Sequence, residues 1–187
     1  VELLTTRVLV QAYMQAYFPM SKSKEEDSVE WYQPEKRGII PLDKFRASKN
    51  VIRLIQQGDY EVSMNTCFRE VMEACGNREE TWISKSLIDA YTKLHEDGFA
   101  YSVEVWQENK LVGGLYGVSI RRAFFGESMF HTQPEMDKLA LWYCHKFLVE
   151  NEYLLWDTQY YTEHLAQFGC VEIPHEEYEE LLSAALK

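Results

Sequence analysis

The chain has 187 residues, 46% of them hydrophobic, which suits one compact domain, or one domain with a small appendage, and argues against a disordered chain. No apolar run approaches the roughly 20 residues that a membrane helix needs. No basic-then-apolar leader opens the chain, whose start at Val1 suggests trimming or processing.

The formal net charge of −11 argues against broad, non-specific affinity for nucleic acid, which rests on phosphate neutralisation. The charge is uneven, however. Residues 36–58 carry Lys36, Arg37, Lys44, Arg46, Lys49 and Arg53 against Asp43 alone, whereas residues 172–187 carry Glu172, Glu176, Glu177, Glu179 and Glu180 against Lys187 alone. The basic run fits either a phosphate backbone or an ordinary solvated surface, and charge alone favours the second. The four cysteines, at 67, 75, 144 and 170, match no zinc spacing and read as small buried thiols in a reducing cytoplasm. Cys144 and His145 are adjacent, which is little evidence for a dyad that is normally assembled in space.

Leu3, Leu4, Val8, Leu9, Ala12, Tyr13 and Ala16 recur at helical spacing, ending before Phe18-Pro19. Residues 21–30 are polar and predict a mobile loop. Trp31 to Pro34 and Arg37 to Pro41 predict short extended pieces. Ser48 to Gln57 predicts a helix stopped by Gly58, and Tyr60 to Met64 a strand. Asn65 or Thr66 is expected to cap the next helix, with Gly76 as its left-handed end. Ser84 to Glu96 is amphipathic, with Gly98 as terminator. Strands follow at Ala100–Gln107 and Lys110–Ser119, joined by Glu108-Asn109, and at Phe124–Phe130, antiparallel to the second. Pro134 to Glu152 predicts a long helix with Pro134 near its first position. A strand over 153–158, a short helix from Thr162 to Phe168, a strand over 170–173 and a final helix from Pro174 to Leu186 complete the chain. The order from residue 84, α-β-β-β-α-β-α-β-α, implies an α+β class.

Two polar islands stand beside apolar runs, Gly126-Glu127-Ser128-Met129-Phe130 and Asp157-Thr158-Gln159. Such groups are costly unless hydrogen-bonded or used. Strand alternation sends Asp157 and Gln159 to one face, and Trp156 and Thr158 to the other. On spacing alone, Asp157 equally suits a helix cap and Gln159 a loop tie. Glu127 suits either a bound cation or an ion pair with Arg121 or Arg122.

These blocks are collinear from about Leu4 to Leu182 and resemble the leucyl/phenylalanyl-tRNA–protein transferases. That family moves Leu or Phe from an aminoacyl-tRNA onto the N-terminal Arg or Lys of a protein. The resemblance implies a small N-terminal α/β domain, residues 1–65, and an acetyltransferase-like mixed sheet flanked by helices, residues 66–187. It further implies an N-terminal segment that is absent or abbreviated here. Asp157, Gln159 and Glu127 are then catalytic: the Asp157 carboxylate orients the amine and relays its proton, with the ribose 2′-hydroxyl as the alternative shuttle, the Gln159 amide bridges it or donates to the oxyanion, and Glu127 holds either the cationic acceptor or the amino group of the donor residue. Leu115, Phe124, Met129 and Leu141 form the donor side-chain pocket, Leu115 standing where the family often has Met. Trp82 stacks on the terminal adenine, and Trp31 and Trp106 also match family positions. Met20 stands where several members have Trp, and Ala16 where Gly is common. Arg46, Lys49 and Arg53 are candidates for the tRNA backbone. No metal or cofactor is expected, and the protein is expected to be a monomer of the bacterial cytoplasm, marking proteins for degradation. Two other readings are an acyl-CoA-dependent N-acyltransferase and a non-catalytic module that binds basic N-termini. The first lacks a pyrophosphate loop, because Arg121 to Gly126 does not have the glycine spacing.

Overall fold

The structure is a computed structural model and describes residues 4–24 and 28–187. Helix α1 (Thr6–Met14) is capped by Thr5, whose side chain accepts from Val8 N–H, and it ends where Ala16 turns to φ 66°. Strands β1 (Phe18–Ser21) and β2 (Val29–Tyr32) form a two-stranded ribbon, so Ser21 and Val29–Glu30 are extended where a loop was expected. Leu3 and residues 25–27 of those two predicted segments lie outside the described residues.

The remaining strands form one seven-stranded sheet. They are β3 (Lys36–Ile39), β4 (Glu61–Met64), β5 (Ala100–Gln107), β6 (Lys110–Ile120), β7 (Ala123–His131), β8 (Leu155–Gln159) and β9 (Val171–Pro174), in the spatial order β4-β5-β6-β7-β8-β3-β9. All neighbours are antiparallel except β7 and β8. The expected division after residue 65 falls within this sheet, because β3 and β4 precede it in sequence and lie in the same sheet as β5–β9. The hairpin turn at Glu108-Asn109 has φ of 49° and 60°, the positive pair that matches strand twist.

Helices α2 (Lys49–Gln57), α3 (Phe68–Cys75), α4 (Lys85–Glu96), α5 (Met136–Glu150), α6 (Glu163–Ala166) and α7 (His175–Ala185) cover the sheet. Ser48, Ser84 and Thr162 cap α2, α4 and α6 through their hydroxyls. Three expected ends differ. Asn65 Oδ1 accepts from Ser102 N–H on β5, so the cap position of α3 falls to Cys67, which makes no side-chain cap bond. Gly76 is right-handed, with φ −80°. Pro134 lies outside α5, whose cap is Glu135 at φ 70°.

Alternation along the strands divides the core. Tyr116, Phe125 and Leu155 pack with α1, α3, α4 and α7, whereas their neighbours Leu115, Phe124 and Trp156 pack with α2 and α5. Each such fully buried side chain contributes about 1.5–3 kcal/mol. All four cysteines are unpaired.

Candidate active site

Strands β7 and β8 pair in parallel only where Ala123–Phe125 meets Leu155–Asp157. Beyond that register their ladder stops. Gly126 to Phe130 on β7 and Thr158 on β8 line a cavity of about 720 Å³. Its walls bring together Trp82, Leu115, Phe124, Glu127, Met129 and Leu141, six residues singled out from sequence. Leu115, Phe124 and Leu141 are buried, and Met129 and Trp82 are partly exposed. The result is an apolar wall on the α5 side with two carboxylates beside it, Glu127 and Asp137.

Glu127 Oε1 accepts from the Tyr13 hydroxyl at 2.5 Å and from Gln159 Nε2 at 2.9 Å. Tyr13 in turn is hydrogen-bonded to the Tyr91 hydroxyl on α4. Glu127 Oε2 is buried and has no hydrogen-bond partner among the described residues, although the residue as a whole is partly exposed. Burial raises the Glu127 pKa to about 7; the Tyr13 and Gln159 bonds pull it down, Asp157 pushes it up and Arg37 pulls it down. Arg121 and Arg122 donate to the carbonyls of Lys187 and Glu152, so the expected alternative, an ion pair with Glu127, is not formed.

Asp157 shares the Glu127 side of the sheet, as alternation requires, but it does not line the cavity. It is fully buried and bound by Arg37, with Nε 3.1 Å from both carboxylate oxygens and Nη2 2.7 Å from Oδ2. The Tyr178 hydroxyl donates to Oδ2 at 2.6 Å, and Gln159 N–H donates to Oδ1 at 2.6 Å. Where the sequence suggests that Asp157 addresses a bound amine directly, this structure has both its oxygens engaged by Arg37, Tyr178 and Gln159 N–H. It does not cap α6, a task that falls to Thr162. Instead it holds Gln159 in a left-handed conformation at φ 65°, a region costly for a non-glycine residue. Gly38 faces Gln159 across the sheet, and a Cβ there would meet the Tyr160 backbone carbonyl carbon at 2.5 Å. The absence of a side chain at Gly38 lets the turn after Gln159 cross β3.

Other expectations fall away from the cavity. Met20 and Trp31 are half-buried against the main core, and Trp106 donates its indole N–H to Ser63. Arg46, Lys49 and Arg53 are exposed and outside the cavity wall. Arg37, counted in the basic run, is fully buried, and Lys36 pairs with Glu172, so neither joins a basic surface. Sequence reasoning missed Arg37 as a partner of Asp157, and Tyr13, Tyr91 and Tyr178 as hydrogen-bonding groups. Each tyrosine occupies an apolar helix position, which carries no local sign of a polar role. The cavity also carries Tyr116, Arg78 and His131, with His131 Nδ1 3.0 Å from Asp137 Oδ2.

Sequence comparison covers nearly the whole chain. The leucyl/phenylalanyl-tRNA protein transferase family model matches residues 39–183, and the model of that family's N-terminal domain matches residues 2–35. A leucyl/phenylalanyl-tRNA–protein transferase from Ruegeria sp. (strain TM1040) is 45% identical over 183 residues, covering 98% of this chain and 87% of the relative. One from Rhodopseudomonas palustris (strain BisB18) is 42% identical over 187 residues, covering 98% of this chain and 81% of the relative. Among solved structures, FemX is similar in fold, with a TM-score of 0.57 at 12% identity over 93% of this chain and 70% of that one. The matched segments contain both polar islands, with Tyr13 and Tyr91 of the Glu127 network, and the chain belongs to the leucyl/phenylalanyl-tRNA–protein transferase family.

Proposed function

We propose that this protein transfers Leu or Phe from an aminoacyl-tRNA to the α-amino group of a protein with N-terminal Arg or Lys. The observation that carries the reading is the juxtaposition of an apolar pocket with a carboxylate oxygen lacking a partner among the described residues. A buried acceptor of this kind is costly until a donor arrives, and an amine is such a donor. The donor side chain lies against Leu115, Phe124, Met129 and Leu141, and the terminal adenine stacks on Trp82. The acidic chain, at −11, suits a cationic acceptor, and exposed Arg46, Lys49 and Arg53 suit the tRNA backbone.

In the reaction, the amine nitrogen attacks the ester carbonyl carbon and the carbonyl π pair moves to oxygen. Glu127 Oε2 accepts a proton from the amine. The C–N bond is complete when the carbonyl re-forms and expels the ribose oxygen, which takes that proton. One ester and one amine become one amide and one ribose hydroxyl. Gln159 holds the other Glu127 oxygen, and Asp157 holds Gln159. The ester is already activated, so positioning and electrostatics carry the catalysis. The unpaired thiols suit a reducing cytoplasm.

The test is transfer of radiolabelled Leu or Phe from charged tRNA to peptides beginning with Arg, Lys or Ala. Labelling of the Arg and Lys peptides is expected. Absence of label on all three, or labelling supported by acetyl-CoA instead, rejects the reading.

A further inference from the structure

Tyr116 sits on β6 opposite Ser128, at the register shift between Tyr116 and Gly117. It is fully buried, lines the cavity, and its hydroxyl has no hydrogen-bond partner among the described residues. An orphaned buried hydroxyl costs stability unless it serves a ligand. Edge contacts from Phe68 at 5.8 Å and from Tyr91 at 6.2 Å fix its ring. Two buried polar atoms without partners therefore belong to the wall of one cavity, and their chemistry is complementary. Glu127 Oε2 accepts, whereas the phenol can donate.

Resting on the transferase reading above, we infer that the Tyr116 hydroxyl donates a hydrogen bond to the oxyanion that forms from the carbonyl oxygen of the donor ester, and not to that carbonyl in the ground state. Burial, with the charge of Glu127 second, raises its pKa well above the ordinary phenol value, so it stays protonated as a donor. Arg78 and Glu127, both of the cavity wall, act electrostatically on this hydroxyl, as do Cys75 and Tyr91 of the core. The Tyr13 and Tyr91 hydroxyls are already engaged with one another, and Tyr13 with Glu127. As the amine attacks, the π electrons of the ester carbonyl collect on its oxygen while the amine proton passes to Glu127. The oxyanion then faces a neutral carboxylic acid and a phenol donor. When it collapses, the proton leaves Glu127 for the departing ribose oxygen and Tyr116 keeps its own.

Tyr116→Phe removes only the hydroxyl. Because that hydroxyl makes no hydrogen bond among the described residues, urea unfolding is expected to show equal or greater stability. Loss of one oxyanion donor typically lowers kcat by about 10²–10³, and a fall of at least about tenfold with donor KM and aminoacyl-adenosine affinity unchanged is expected. A kcat within about twofold of wild type overturns the inference, as does a raised donor KM with unchanged kcat, which would mean ground-state binding only. Wild-type protein assayed alongside separates the two levels: an inactive wild type rejects the transferase reading, whereas an active wild type with an equally active variant rejects the role of Tyr116 alone.

Discussion

Arg37 and Asp157 form an ion pair with no exposure on either side chain, joined at 2.7 Å between β3 and β8. The Arg37 guanidinium lies over the rings of Phe18 and Tyr178, 4.8 and 4.5 Å from their centroids, and donates to the carbonyl of Ala16 at 2.9 Å. The pair thus ties the N-terminal ribbon and α7 to the strand that carries Gln159.

Breaking this pair from one side leaves a buried charge without a counterion. Asp157→Ala is expected to lose about 3–5 kcal/mol of stability in urea unfolding. Replacing both partners, Arg37→Met with Asp157→Leu, is expected to recover most of that loss, because well-packed apolar residues often substitute for a buried pair at little cost. Transfer activity is not expected to return, because Gln159 N–H no longer has its acceptor. Recovery of activity together with stability would show that Asp157 is purely structural.

Gln159 acts on Glu127 through one hydrogen bond that lowers the carboxylate pKa. The active form of Glu127 is the carboxylate, so the transfer rate rises with pH through about 7. Gln159→Ala removes a lowering influence, so the inflection moves to higher pH and the rate at neutral pH falls. Tyr13→Phe moves it further, because the Tyr13 bond is the larger of the two influences. A pH–rate profile over pH 5.5–9 measures both shifts, and an unchanged inflection in both variants would remove Glu127 from the rate equation.

The same carboxylate links stability to pH. Its folded-state pKa of about 7 lies above the ordinary value of 4.5, so the folded protein holds the extra proton between them. Stability from this group is complete below about pH 4.5 and is lost as pH rises through about 7. The loss is at most about 3 kcal/mol, reduced by the partial exposure of the residue. Glu127→Gln is expected to flatten this decline. Parallel stability–pH curves for variant and wild type between pH 5 and 8 would contradict the buried carboxylate.

Trp82 belongs to the wall of the main cavity and also to a second hollow lined by Lys22 and Thr81, so its ring borders both. Base stacking on an aromatic ring is worth about 1–3 kcal/mol. Trp82→Ala is expected to weaken aminoacyl-adenosine binding about 5–150-fold on that scale with a smaller effect on kcat. Equal affinity by titration calorimetry would reject the stacking role.

Much of this architecture can be read along the chain because helix and strand periods are local. Leu115, Phe124 and Leu141 are apolar at the positions their strands and helix bury, and Glu127 stands out because it interrupts such a run. Gly58, Gly98 and Gly169 end elements with φ of 67°, 87° and 98°, as their place after apolar periods predicts. Local rules failed where a distant partner competed: Asn65 left its cap to bind β5, and β3 entered the sheet between β8 and β9.

By itself the sequence determined the α+β class, the apolar character of Leu115, Phe124 and Leu141 and the presence of carboxylates that needed partners. Only the tertiary structure decided which partner each one received. Asp157 and Arg37 are 120 positions apart, and Tyr13 lies 114 positions from Glu127. Ion pairing and hydrogen bonding act across space and within a few ångströms, so they depend on how strands and helices are brought together. Periodicity reports which face a side chain takes, and it carries no information about what waits on the other side of that face.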